Sequence, residues 1–334
     1  MAEDGAPVRI GILGAAHIAP AVVIKPAKGR SDVVVAAVAA RDVSRAREFA
    51  TKHGIARVHD TYEDLLDDPD VDAVYNPLPN ALHGKWIRAA LAAGKHVLCE
   101  KPLTANAEEA REIAELTSAS GRVVMEGLYY RYLPFAVRVH AIIDSGELGT
   151  LQRIEAANCF WLPKFSNVRY DYSMGGGSLM DLGIYIVDLV RTFGGSTPEV
   201  VSAEAQLRSP EVDRAMTAEL RFSDGLTGRL RSSLWSKDLP HFSARIVGDR
   251  GELRLHPLAP FQHFTVRTSE GKRVERFRLR GLYGDQLAAF VAAVSGGEPV
   301  KTTPAAAVEN MTVIDAIYRA AGLSARKPAS TQIP

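Results

Sequence analysis

Lys101, Asp181 and Tyr185 are the side chains of this 334-residue sequence whose types and spacing suit proton handling beside a bound ligand. Lys101 closes the run His96-Val97-Leu98-Cys99-Glu100-Lys101-Pro102, a short apolar stretch ending in a charged pair. The proline keeps the next main-chain position out of any strand ladder. Ligands of open α/β sheets bind beyond the carboxyl ends of the strands, so a lysine at such an end belongs where a ligand sits. Asp181 and Tyr185 are four residues apart and share one face of a helix predicted over Ser178–Thr192, with Asp188 continuing the stripe. A carboxylate and a phenol on an otherwise apolar helix are costly to bury without partners. They read either as a buried Tyr–Asp hydrogen bond or as a proton-handling pair.

Three further segments point toward the same cleft. Gly11-Ile12-Leu13-Gly14-Ala15-Ala16-His17-Ile18-Ala19 follows a strand and opens a helix, the setting of a dinucleotide fingerprint. Glycine there lets the backbone approach a pyrophosphate, whose charge a helix N-terminus favours. Ala16 and Ala19 stand where stricter versions carry glycine, and Pro20 suits a short first turn. Without a ligand, the same residues describe a tight strand-to-helix turn. The second strand ends in Ala39-Ala40-Arg41-Asp42. An acidic residue at that point serves the ribose of NAD, whereas an arginine accommodates the 2′-phosphate of NADP. Arg41 therefore favours NADP(H), with NAD still possible; it also reads as a solvated surface charge, and Asp42 as a helix N-cap. In Asn76-Pro77-Leu78-Pro79-Asn80-Ala81-Leu82-His83, two prolines stiffen an extended backbone that suits a flat ligand. Asn80 doubles as a helix cap, and His83 reads more simply as a structural histidine. Gly175-Gly176-Gly177 permits sharp turns ahead of the Asp181 helix.

The elements that must position these groups follow from periodicity. Residues 8–128 alternate strands (Val8–Leu13, Val33–Ala40, Val71–Tyr75, His96–Cys99, Arg122–Glu126) with helical stretches. Ala46, Phe49, Ala50 and His53 keep helical spacing up to a Gly54 cap. Asn80 opens a helix carrying Leu82, Trp86, Ala89, Ala90 and Ala93. Asn106 with Glu109 resembles a capping box, on a helix that stops at Gly121. This rhythm implies right-handed crossovers and a mainly parallel sheet. After about residue 130 a period of two takes over, in Met216, Ala218, Leu220, Phe222, in Leu226, Leu230, Leu234, and in Phe277 with Leu279. Turns are predicted at Asp224-Gly225 and Asp249-Arg250-Gly251, and a last helix over Ala305–Ala320. The expected organisation is an α/β domain over 1–130 and an α+β domain over 131–334, the C-terminal helix packing back on the first.

Composition narrows the partners. A formal net charge of +1 gives no field for nucleic acid or an anionic membrane, and no block of like charge forms a tail. The longest apolar run, Val33–Ala40, falls far short of the ~18 residues of a membrane span. Met1-Ala2-Glu3-Asp4-Gly5 lacks the layout of a secretory signal. Cys99 and Cys159 read as buried free thiols. The nine histidines show no His-Glu-x-x-His spacing and no carboxylate cluster suits a hard metal, so no metal is expected. A soluble, cytoplasmic protein acting on a small molecule is the expectation.

Taken together and in order, the glycine turn, Pro77-Leu78-Pro79-Asn80…His83, Cys99-Glu100-Lys101-Pro102 and Gly175-Gly176-Gly177…Asp181…Tyr185 resemble the glucose–fructose oxidoreductase/inositol dehydrogenase (Gfo/Idh/MocA) family. Tyr185, where inositol dehydrogenases carry histidine, looks most like dimeric dihydrodiol dehydrogenases and sugar ketoreductases. The resemblance implies an N-terminal Rossmann domain with a doubly wound parallel sheet. It also implies a C-terminal domain with an open, mostly antiparallel sheet on which homodimers or homotetramers are built. It places the cofactor along Gly11, Gly14, Ala15, Ala16, His17, Ile18, Arg41, Pro77, Leu78, Asn80, His83, Glu100, Lys101 and Pro102. Lys101 and Asp181 would lie near the reacting carbon, with Tyr185 exchanging the proton. Arg131 and Pro134 would wall the cleft, and Trp161 and Arg169 would shape the substrate. The implied reaction is hydride transfer between NADP(H) and a secondary alcohol or ketone of a sugar-like or cyclic polyol. An ammonium within ~4–6 Å favours a phenolate, so Lys101 would make Tyr185, ordinarily titrating near about 10, usable at neutral pH. The other reading is a non-catalytic dinucleotide-binding regulator. Such members typically have the lysine or the Asp/Tyr pair eroded, and all three residues persist here.

Overall fold

Strands that are apolar along their whole length are covered on both faces, and helices on either side supply the cover. The computed structural model describes residues 6–236, 241–255, 262–278 and 281–329. In chain order the first elements are β1 Val8–Leu13, a π-helical turn Pro20–Ile24 running into α1 Lys25–Ala27, β2 Val33–Ala39, α2 Val43–His53, β3 Arg57–His59, α3 Tyr62–Asp67 and β4 Ala73–Asn76. Next come α4 His83–Ala92, β5 His96–Cys99, α5 Ala107–Ser120, β6 Val124–Glu126, α6 Pro134–Asp144, β7 Leu151–Cys159 and α7 Ile184–Gly194. The remainder are β8 Glu199–Ser209, β9 Val212–Arg221, β10 Thr227–Ser233, β11 His241–Gly248, β12 Gly251–Leu255, β13 His263–Thr268, β14 Gly271–Arg276, α8 Gly284–Gly296 and α9 Pro304–Ala320.

The chain divides into two compact units. The first comprises the described parts of Met1–Tyr132, Arg280–Val308 and Pro328–Pro334; the second comprises those of Leu133–Leu279 and Glu309–Lys327. The segment holding α8 therefore groups with the first unit rather than with the C-terminal one, because Leu287, Phe290 and Val291 pack into the core beneath β1. The C-terminal helix α9 gives that unit only its opening residues, among them Ala307.

The first unit's sheet runs β3-β2-β1-β4-β5-β6 with every pair parallel. This is the doubly wound order in which strand polarity places a binding crevice at the carboxyl ends, where the order reverses beside β1. Local chemistry sets the helix limits. Asp42 accepts the Arg45 N–H and caps α2, which Gly54 ends at φ 71°. Asn106 accepts the Glu109 N–H at the start of α5. Asn80, expected to cap α4, instead begins a one-turn 3₁₀ segment, and α4 starts at His83 without a side-chain cap. The strand expected at Val71–Tyr75 starts at Ala73, because Asp72 turns outward to a two-oxygen bridge with Arg9. The edge strand β3 is three residues long, too short for a periodic signal to reveal.

The second unit's sheet runs β14-β13-β12-β11-β7-β10-β9-β8, antiparallel except for β7 beside β10. Ile154, Met216, Ala218, Leu220, Leu230, Ile246 and Leu253 bury one face, as the period-two pattern predicts. The turn at Asp224-Gly225 closes with the Leu226 N–H on Asp224, and Gly225 takes φ 91°. Phe277, expected within a strand, lies just beyond β14 and packs on Phe264; Leu279 falls outside the described residues.

Candidate active site

Within the first unit, parallel polarity gathers the predicted segments on one edge. The Gly14 N–H donates to the Ala39 carbonyl at 2.7 Å, tying the end of β1 to that of β2. Gly14 holds φ +104°, and a Cβ there would lie 3.2 Å from Leu78 Cδ2. Gly11 serves packing: a Cβ would meet Leu65 at 2.7 Å. Ala15 and Ala16 are half-buried, His17 and Ile18 exposed, while Ala19 is fully buried in the core. The departure from glycine at Ala19 thus fills space under the turn. Arg41 is exposed at the end of β2, and no carboxylate pairs with it among the described residues. A glycine held at a φ that L side chains rarely adopt, beside an exposed guanidinium one strand away, fits a dinucleotide phosphate.

The β4 and β5 ends form one stitched unit. The Glu100 N–H donates to the Asn76 carbonyl at 2.9 Å, and the Asn76 side chain accepts the Leu78 N–H at 3.3 Å. His83, which the residues read as structural and the resemblance places along the cofactor, has its ring against main-chain carbonyls. Its ring has no exposed surface, and its nitrogens lie 2.7 Å from the Pro102 carbonyl and 2.6 Å from the Leu78 carbonyl. It fastens the Pro77–Leu78 loop to the segment after Lys101, whose own side chain is half-buried. Glu100 accepts the Tyr75 phenol at 2.8 Å. Tyr129 and Tyr283 pack against each other in a tilted arrangement, ring centroids 4.8 Å apart. Burial, then the Glu100 charge, raises the Tyr283 phenol to about 12. Neither Tyr75 nor Tyr283 was singled out from sequence; the available signal was Tyr75's place at the end of β4, one strand from Glu100. Arg131 lies in a 3₁₀ turn, its carbonyl accepting from Lys301.

Burial is the largest influence on His83 and takes its imidazole down to about 4, while the two carbonyls act the other way. His96 is also held down to about 4, chiefly by burial, and its Nδ1 accepts the Val123 N–H. Between the ordinary 6.5 and about 4, the unfolded chain binds protons that the folded chain refuses, so stability falls as acid is added through that window. For His83 the loss has a ceiling of about 3 kcal/mol, at 1.36 kcal/mol per pKa unit. Denaturant midpoints followed by circular dichroism should drop from pH 7 to pH 4, and His83→Gln should flatten part of that slope. Parallel profiles for the two proteins would clear His83 of the effect.

In the second unit Asp181 sits in a π-helical turn, Leu179–Gly183, that runs into α7; Tyr185 is half-buried on the first turn of that helix. The helix predicted over 178–192 is therefore two elements, and wide π turns recur at functional sites. Arg169 Nε donates to Asp181 Oδ2 at 2.8 Å, so two predicted residues meet. Asp188 belongs to structure: it is fully buried and accepts the Asn310 amide at 3.0 Å. Trp161 is 56% exposed in a two-residue bridge with Trp235, whose ring also meets Phe165. Pro134 opens α6 from an exposed position. Cys99 and Cys159 are buried free thiols. Among the described residues no His/Cys/Asp/Glu group could hold a metal ion, and no helix is long and apolar enough to cross a membrane.

A parallel sheet in doubly wound order, with glycine, arginine and lysine at its carboxyl edge, is the arrangement of dinucleotide-binding α/β proteins. Residues 8–128 match the model of the oxidoreductase family with an NAD-binding Rossmann fold, and residues 136–254 match the GFO/IDH/MocA C-terminal domain. The chain belongs to the GFO/IDH/MocA family of oxidoreductases. It is 36% identical over 316 residues to D-xylose 1-dehydrogenase (NADP(+)) 2 of Haloferax volcanii, covering 93% of this chain and 96% of the relative. It is 37% identical over 206 residues to trans-1,2-dihydrobenzene-1,2-diol dehydrogenase of Bos taurus, covering 61% of each. Among solved structures, KijD10, a 3-ketoreductase from Actinomadura kijaniata in complex with NADP and TDP-benzene, superposes with a TM-score of 0.85 at 26% identity. That match covers 94% of this chain and 98% of the other.

Proposed function

We propose that this protein is an NADP(H)-dependent dehydrogenase or reductase acting on a secondary alcohol or ketone of a sugar-like or cyclic polyol substrate. The observation that carries this reading is the Arg169–Asp181 pair held one turn ahead of Tyr185, in a chain that keeps Lys101 at the carboxyl end of β5. The turn from Gly14 to Ile18, the Pro77–Leu78–Asn80 loop and Glu100–Lys101 would hold the dinucleotide, and Arg41 its 2′-phosphate. When bound, that group supplies or accepts the hydride. The chain's own residues do the rest. Tyr185 hands a proton to the forming alkoxide or takes one from the alcohol. Lys101 favours the phenolate by its charge. Asp181, oriented by Arg169, accepts a hydrogen bond from a substrate hydroxyl. We take copies to assemble, as a homodimer or homotetramer, on the face of the second sheet where Glu155, Arg229, Arg231, Arg245 and Arg254 line a shallow hollow.

The deciding experiment follows nicotinamide absorbance with both cofactors across aldoses, anhydro-sugars, keto-sugars, cyclic polyols and aromatic dihydrodiols. Turnover of none of them, with the dinucleotide bound, would overturn the catalytic reading. Cofactor choice has its own test. Arg41→Ala should weaken NADP⁺ binding about tenfold, the value of roughly 1.4 kcal/mol expected for an exposed charged contact, and leave NAD⁺ nearly unchanged. Equal losses by calorimetric titration would argue against a 2′-phosphate contact.

A further inference from the structure

The glycines ahead of Asp181 make room for something specific. Gly177 holds φ +132°, and a Cβ on it would fall 2.2 Å from Asp213 Oδ1 and 2.9 Å from both Arg326 Nη2 and the Tyr318 hydroxyl. A Cβ on Gly176 would lie 2.7 Å from the carbonyl oxygens of Arg169 and Asp171. Beneath the run is an ion pair with no exposed surface: Arg326 Nη2 meets Asp213 Oδ1 at 2.9 Å. Asp213 Oδ1 also accepts the Tyr318 hydroxyl at 3.0 Å, and Oδ2 accepts the Ser178 hydroxyl and the Leu179 N–H, both at 2.8 Å. Arg326 Nε donates to the Gly176 carbonyl at 2.7 Å, and its guanidinium lies 4.0 Å over the Tyr318 ring. The strap carrying Arg326 is fixed in turn by the Ser324 N–H on Glu211 at 2.7 Å.

A buried pair of this kind adds little stability compared with an apolar filling, because both ions give up water; what it offers is defined geometry. That geometry runs straight into the candidate site. Leu179, held by Asp213, begins the π turn that contains Asp181. The Asp181 N–H donates to the Gly177 carbonyl at 3.0 Å, and the Gly177 N–H donates to the carbonyl of Arg169 at 2.8 Å. Arg169 is the residue whose side chain grips Asp181. Both halves of the Arg169–Asp181 bridge are thus tied to the same glycine, and that glycine lies against the buried pair.

We propose that Arg326 and Asp213 are positioning residues, a clamp that sets the backbone from Gly175 to Tyr185 for reaction; this rests on the reading that Asp181 and Tyr185 do the chemistry. A displacement of about 1 Å at a catalytic group can cost on the order of 10²-fold in rate. In the full-length protein, Arg326→Met should speed amide hydrogen exchange in peptides covering 175–186 by about tenfold or more, while peptides from β11 to β13 and from the first unit keep wild-type rates. Turnover should fall roughly 10- to 100-fold with dinucleotide affinity within about twofold of wild type. Arg326→Lys restores the charge without the fork and should recover part of both signals. Tyr318→Phe removes one bond to Asp213 and should give the same local pattern more weakly; it keeps the test open if the Arg326 variants do not fold. Exchange raised evenly across the second unit, or local loosening with full turnover, would overturn the clamp. Exchange is read without substrate, so a wild type inactive on every screened compound defeats the functional reading while the clamp is still judged by the exchange pattern.

Discussion

Tyr185→Phe is expected to lower turnover by roughly 10²–10⁴, the range for losing a general acid–base group, with dinucleotide affinity and substrate KM almost unchanged. The substitution removes one oxygen from the first turn of α7 and leaves the ring to pack as before. Loss of a proton donor that acts only in the transition state depresses kcat and kcat/KM together. Single-turnover reduction, followed by nicotinamide absorbance, separates the chemical step from product release. Full activity in this variant would remove the phenol from the proton path and leave Lys101 as the donor.

How much of this was legible beforehand depends on whether a signal is local. The carboxyl ends of β1, β2, β4 and β5 could be read because each is an apolar run stopped by glycine, arginine, proline or a charged pair, and parallel pairing then puts all four on one edge. The Asp181/Tyr185 spacing was legible for the same reason. Sequence read His83 as a structural histidine but could not name what holds it, because its partners are two carbonyls, one of them from residue 102, that close on the ring only after folding. The π turn at Leu179–Gly183 leaves no mark in an apolar stripe of helical spacing. Arg326 and Asp213 stand 113 residues apart, and a lone arginine in a tail reads as solvated until the fold buries it. The Gly175–Gly177 run was the visible half of that device. Three glycines announced a close approach, but only the fold names what approaches.

The same split between local and distant information bears on Lys101→Met, which keeps the apolar stem and deletes the ammonium. In the proposed role the ammonium acts on the phenol by its charge alone, and unit charges within ~4–6 Å interact by about 3–4 kcal/mol at an effective dielectric of 20. Discounted for partial solvation, this leaves an effect of one to two pKa units, at 1.36 kcal/mol each. A cation favours phenolate, so its removal should move the apparent pKa of alcohol oxidation upward, toward the tyrosine's ordinary value near about 10. At pH 7 oxidation should therefore fall by roughly 10²–10³, combining the lost ionisation with lost substrate orientation. Below the wild-type phenol's pKa both rates climb in parallel, so the deficit should narrow, by about tenfold per pH unit, only over the one to two units that lead up to the shifted value near about 10. Ketone reduction needs the protonated phenol, so its rate should fall above the phenol's pKa, and the substitution should move that fall to higher pH by the same interval. A deficit that stays constant from pH 7 to pH 10 in the oxidative direction would mean that Lys101 holds the substrate and does not tune the phenol. The proton would then be governed by Tyr185 and its own surroundings on α7.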